Sequence, residues 1–206
     1  MLESKLAAPE LAAVEVHGMT RAAFIMRSAL AAGSVYGLHT VGPFVSQALA
    51  QDSAGDIEIL NFALTLEFLE TDFYRSASGL SGEAAALATR FGDEEAEHVD
   101  ALTAAIRGLG GKPVGKPQTS FPGGGQGAFL KLAQTLEDTG VSAYNGAAPK
   151  IVSKEVLAAA GSIVQIEARH AATIRLLNGE DPSPVAFDRT LTEEQVLRAA
   201  GPFIEA

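Results

Sequence analysis

Glu95-Ala96-Glu97-His98 and Glu167-Ala168-Arg169-His170 are the two stretches from which the fold is read. Each is a Glu-x-x-His, and each follows a Thr-Leu-Glu triplet, Thr65-Leu66-Glu67 in the first case and Thr135-Leu136-Glu137 in the second. Seven residues after each triplet glutamate stands a tyrosine, Tyr74 and Tyr144. The triplets lie 70 residues apart and the Glu-x-x-His motifs 72, so the chain is internally duplicated, with the two-residue change absorbed in loops. Such a repeat predicts two halves related by a pseudo-twofold axis.

Around these motifs the apolar residues recur at helical spacing over about 56–77, 82–109, 126–147 and 153–178. In the second stretch Ala88, Phe91, Glu95, His98, Leu102, Ala105 and Leu109 share one stripe. Ala160, Ile163, Glu167, His170, Ile174 and Leu177 do the same in the fourth. The first places Leu60, Ala63, Glu67, Glu70 and Tyr74 together, and the third Leu130, Ala133, Glu137, Gly140 and Tyr144. Short breaks at Ser78-Gly79-Leu80-Ser81 and around Ala148-Pro149-Lys150 make two helical hairpins. The glycine- and proline-rich segment 108–127 joins them. At roughly 3.3–3.6 Å per residue it can run back along a whole helix. Two hairpins joined by one long crossover give an all-α, four-helix bundle of ferritin-like connectivity over 56–179. Residues 1–55 form an N-terminal extension. Residues 180–206 form a tail with one short helix, capped by Thr192 with Gln195 and stopped at Gly201-Pro202.

Each helix thus carries a carboxylate on the stripe that faces the core, and two helices add a histidine at i+3, on the same face. A buried carboxylate costs several kcal/mol unless paired or bound to a metal. Four at one level, about −4 in charge, are balanced by two divalent cations, with the imidazoles filling further positions. The alternative is a bundle held by buried Glu–His hydrogen bonds without metal. Composition agrees with oxygen and nitrogen ligands: the chain has no cysteine, which excludes disulfides, iron–sulfur clusters and a thiol nucleophile. A formal charge of −10 argues against nucleic acid as a partner.

Asn61-Phe62-Ala63-Leu64-Thr65-Leu66-Glu67-Phe68-Leu69-Glu70, with the Glu-x-x-His downstream, resembles the ferritin-like superfamily, and most of all the bacterial branch that includes desiccation-related proteins. The resemblance implies a site for two Fe or Mn ions held by Glu67, Glu95, His98, Glu137, Glu167 and His170. It implies a role beside the metals for Tyr74 and Tyr144, hydrogen-bonding a ligand glutamate or supplying an electron. Core tyrosines with satisfied hydroxyls are the plainer reading. Glu70, whose counterpart is Gly140, is an extra ligand, a substitute for Glu67, a carboxylate on an ion path, or a surface partner of Arg75. Gly140 itself suggests a local bulge. Asp93, Glu94 and Glu97 read as a solvated face, Arg169 as outward or holding a ligand, and His17 and His39 as non-ligands.

The function expected is oxidation of Fe²⁺ coupled to reduction of O₂ or peroxide, in iron handling or oxidative-stress protection, with a manganese-catalase-like activity as a close variant that spacing does not separate. The alternative is a structural or interaction protein of the cell envelope, its metal site structural or vestigial. Arg21 and Arg27 precede 28–50, which lacks charged residues and ends in Ala48-Leu49-Ala50. This order resembles an export signal, and equally fits a retained helix or a membrane anchor. An exported or envelope-associated location follows from the first reading, through residues 21–50, and a cytoplasmic one from the second. A homo-oligomer or a subunit of a larger assembly is expected.

Overall fold

The computed structural model describes the backbone of residues 15–16, 19–20 and 43–205, and side chains over 54–205. Glu15–Val16 (β1) and Met19–Thr20 (β2) form a small antiparallel ribbon in the N-terminal extension. His17, His39 and most of the export-like segment, residues 21–42, lie outside the described residues. Among the described residues no helix is long and apolar enough to cross a membrane.

The bundle consists of α1 (Pro43–Arg75), α2 (Gly82–Gly108), α3 (Gly125–Ala147) and α4 (Lys154–Leu177), followed by the short α5 (Glu193–Ala200). Three of the four long helices match the sequence periodicity within a residue or so. The exception is α1, which begins at Pro43 rather than near Asp56. Gln47-Ala48-Leu49-Ala50-Gln51 has high intrinsic helix propensity, and it continues the helix where no amphipathic stripe marks it.

The helical stripes pack as read from the sequence. Leu60, Ala63, Leu64, Leu102, Ile106, Val156, Ala160 and Ile163 form one apolar layer with Tyr144. Leu66, Leu69, Phe73, Tyr74, Leu87, Phe91, Leu130, Ala133, Leu136 and Ile174 belong to the other. Between these layers, at mid-helix, lie the carboxylates and imidazoles. Burial of the apolar layers at about 25 cal/mol per Å² supplies the main stabilisation that lets a polar layer sit between them.

The crossover from α2 to α3 is tied to the outer side of α1. Asn61 Oδ1 accepts from the Val114 N–H at 2.6 Å, and Asn61 Nδ2 donates to the Lys112 carbonyl at 3.3 Å. Asp72 accepts from the Thr119 hydroxyl at 3.0 Å and pairs with Lys116. From Asn61 to Asp72 is about three helical turns, so the segment runs along the helix as the connectivity requires. Phe121 then packs on Phe73, with ring centroids 5.3 Å apart.

The start of α4 is fixed from α1. Asp56 is fully buried and accepts from the N–H groups of Val152 and Ser153 at 2.9 and 2.8 Å. Ser153 caps α4, accepting from the Val156 N–H. At the other end of the chain the Thr192–Gln195 capping box is complete, and α5 buries Val196 and Ala200. The segment leading to it crosses α3 at Gly146, where a Cβ would fall 1.9 Å from the Leu191 carbonyl oxygen.

Candidate metal centre

The centre takes one side chain or pair from each long helix. From α1 come Glu67 and Glu70, from α2 Glu95 and His98, from α3 Glu137, and from α4 Glu167 and His170. Glu67, Glu95, Glu137 and Glu167 are all 0% exposed, and Glu70, His98 and His170 are also buried. All six residues expected as metal ligands are therefore brought together, and Glu70 with them.

They form two overlapping groups. Glu67, Glu95, His98 and Glu167 make one, and Glu95, Glu137, Glu167 and His170 the other. Within each, one ligand atom per residue lies within 4.8 Å of every other. Glu95 and Glu167, the carboxylates of the two Glu-x-x-His motifs, belong to both groups. Both histidines turn Nδ1 towards the carboxylates. His98 Nδ1 lies 2.9 Å from Glu95 Oε2, 3.1 Å from Glu167 Oε1 and 3.2 Å from Glu67 Oε2. His170 Nδ1 lies 2.8 Å from Glu95 Oε1 and 3.4 Å from Glu137 Oε2.

The tyrosines cross between the repeats. Tyr74, on α1, donates its hydroxyl to Glu137 Oε1 on α3. Tyr144, on α3, donates to Glu67 Oε1 on α1. Burial, and then the Glu137 carboxylate, push the Tyr74 hydroxyl well above the ordinary phenol range. Burial and Glu67 do the same to Tyr144. Both hydroxyls stay protonated and act as donors, each fixing one oxygen of a glutamate and leaving the other to face the cluster.

Protons compensate the charge of the cluster when no cation does. Burial, followed by the Glu167 carboxylate, raises Glu67 well above the usual range, and the same two causes raise Glu70. Burial lifts Glu137 to about 7, and burial with the Glu95 charge lifts Glu167 to about 8. For His170, burial opposes the imidazolium, but the Glu137 and Glu95 carboxylates outweigh it and push the group up to about 11. His98 is raised likewise: burial opposes, and Glu167, Glu67 and Glu95 prevail. Glu95 alone goes down, to about 2, because the two imidazoles outweigh its burial.

A divalent cation fits this donor set. Glu95 Oε1, Glu137 Oε2, both oxygens of Glu167 and His170 Nδ1 are buried without a hydrogen-bond partner. Orphaned buried polar atoms are rare because each forfeits its hydration without compensation. Here they belong to residues of one cluster, and the short His170–Glu95 approach lacks the alignment of a hydrogen bond. Carboxylates with one imidazole per group are ligands for iron, manganese or another borderline divalent metal.

Two side chains depart from the reading of surface charge. Glu70 is buried rather than paired with Arg75 at the surface. Gly140 makes room for it in a regular stretch of α3 without a bulge: a Cβ there would lie 3.1 Å from Glu167 Oε2 and 3.2 Å from Glu70 Oε1. Glu94, read as part of a solvated face, keeps partial exposure yet reaches His170, its Oε2 lying 2.6 Å from Nε2. The only sequence signal for it was its place beside Glu95, shared with Asp93 and Glu97. Arg169 is exposed and points outward.

A family model described as "Ferritin-like domain" matches residues 55–180, more than half of the chain. The fold and the buried Glu/His layer thus define a ferritin-like helical bundle with a site compatible with metal. The chain belongs to the ferritin-like domain family. No curated protein matches this sequence.

Proposed function

We propose that the cluster binds two divalent ions, iron or manganese, and that the protein oxidises Fe²⁺ using O₂ or peroxide as acceptor. The observation that carries this reading is the pair of overlapping buried ligand groups sharing Glu95 and Glu167. Four glutamates, at about −4, and two divalent ions balance in charge. Glu67 with His98 would hold one ion and Glu137 with His170 the other, with Glu95 and Glu167 common to the two ligand groups. Two adjacent iron or manganese ions supply two electrons to an oxidant without a thiol or organic cofactor. Tyr74 and Tyr144 keep Glu137 and Glu67 in place from behind, each through its hydroxyl.

The test is metal analysis of the purified chain, followed by mixing with Fe²⁺ and O₂. Two metals per chain and Fe²⁺ oxidation well above the rate in buffer are expected, with loss of both in Glu95→Ala and His170→Ala. Absence of bound metal would sink the proposal.

A second reading is a metal that cements the bundle of a structural or interaction protein. Complete burial of the four glutamates favours it, as does the position of the larger cavities. These, of about 630 and 500 Å³, lie at the crossover and between α1 and α3, lined by none of the cluster residues. Metal that raises stability, with Fe²⁺ oxidation no faster than in buffer, would select this reading.

A further inference from the structure

The two halves of the centre are not supported alike. His170 is clamped from outside by residues of α2. Its ring stacks on Phe91 at 3.9 Å between centroids, with 24° between planes. Its Nε2 meets Glu94 Oε2 at 2.6 Å. Arg90 completes the clamp: its guanidinium carbon lies 4.9 Å from the centre of the Phe91 ring, and its Nε 3.9 Å from Glu94 Oε1. By the 72-residue correspondence, the equivalents of Arg90, Phe91 and Glu94 on α4 are Ser162, Ile163 and Ile166. None of these can stack on His98 as an aromatic ring or offer it a carboxylate. Among the described residues, no side chain hydrogen-bonds His98 Nε2.

In a neutral histidine one ring nitrogen carries the proton and the other is free to bind a metal. A carboxylate accepting from Nε2–H fixes the proton there, orients the ring and leaves the Nδ1 lone pair directed at the cluster. Resting on the two-metal reading above, we infer that Glu94 is a positioning residue that makes the two metal positions unequal, with the His170 side the tighter. The ring of His98 reaches its own position without that support. The duplicated ligand set thus disguises a site whose two ions bind in order, the first on the Glu137–His170 side.

Titration of the metal-free protein with Mn²⁺ under anaerobic conditions, followed by calorimetry, tests this. Two steps of unequal affinity are expected in the unaltered chain. Glu94→Ala should weaken one step by about 10- to 100-fold and spare the other, with helical content unchanged. Glu94→Gln keeps an acceptor oxygen and should recover most of that loss. In the Co²⁺-loaded protein, the Nε2–H proton of His170 should give a shifted, slowly exchanging NMR resonance that Glu94→Ala abolishes. A loss that strikes both steps equally or neither, or a resonance unchanged in Glu94→Ala, overturns the inference while leaving metal binding itself intact. An unaltered chain that takes up no Mn²⁺ overturns instead the two-metal reading on which it rests.

Discussion

At the scale of the residue, the centre depends on groups that touch one another across the repeat. Tyr74→Phe removes the hydroxyl that holds Glu137, and Tyr144→Phe the one that holds Glu67. A hydrogen bond to a charged group contributes about 1.5–3 kcal/mol. Each variant of the metal-loaded protein should therefore lose stability of that order in urea unfolding, while remaining folded. Gly140→Ala sets two effects against each other. Replacing glycine inside a helix gains about 0.5–1 kcal/mol. The added methyl meets Glu167 Oε2 at 3.1 Å and Glu70 Oε1 at 3.2 Å, and the carboxylates must shift. The expected outcome is a metal-free protein of near-unchanged stability with metal affinity lowered about tenfold, a loss of roughly 1.4 kcal/mol read by titration.

At the scale of the element, the packing is set by few tethers. Asp56 is buried on α1 and carries the two N–H groups that precede α4. Asp56→Ala leaves both without their acceptor and should cost about 2–3 kcal/mol, measured by denaturant unfolding. Thr192→Ala, which breaks the capping box of α5, should cost only about 1 kcal/mol. The helices, their hairpin pairing and the inward face of every expected ligand were legible in the sequence, because buried stripes recur at helical spacing and the repeat gives each stripe twice. Three features were not. The N-terminal reach of α1 is set by propensity without amphipathic pattern. Glu94 looks like a surface acid, because sequence spacing shows which side of a helix a residue lies on but not how far its side chain reaches between neighbours, and for the same reason the inward stripe alone does not separate a buried Glu70 from a partner of Arg75. The tethers Asn61 and Asp56 act on backbone groups far along the chain, which no local pattern marks.

At the scale of the whole molecule, pH and metal oppose each other. Burial raises Glu137 to about 7 and Glu167 to about 8, while the Glu137 and Glu95 carboxylates overcome burial to raise His170 to about 11. Raised values mean that the metal-free folded chain holds more protons than the unfolded one. The associated stability is present below the unfolded values and is lost as pH rises through the folded ones. Each extra proton lowers stability by about 1.4 kcal/mol per pH unit. Glu95 works in the opposite sense: its contribution is present above the ordinary carboxylate value and is lost as pH falls towards about 2. The urea midpoint of the metal-free protein should therefore fall between about pH 5 and 8. Metal displaces the same protons, so its affinity should rise over that range and offset the fall. Unfolding curves at several pH values, with and without Mn²⁺, check both signs.

The crossed tyrosines make each half of the repeat depend on the other. A bond from Tyr74 to Glu137 and its mirror from Tyr144 to Glu67 are the contacts that one hairpin would make with an identical copy of itself about a twofold axis. Neither hairpin closes a ligand set alone, since each carries the tyrosine that holds the other's glutamate, and the equivalence breaks where Glu70 faces Gly140 and where Ile166 stands as the counterpart of Glu94.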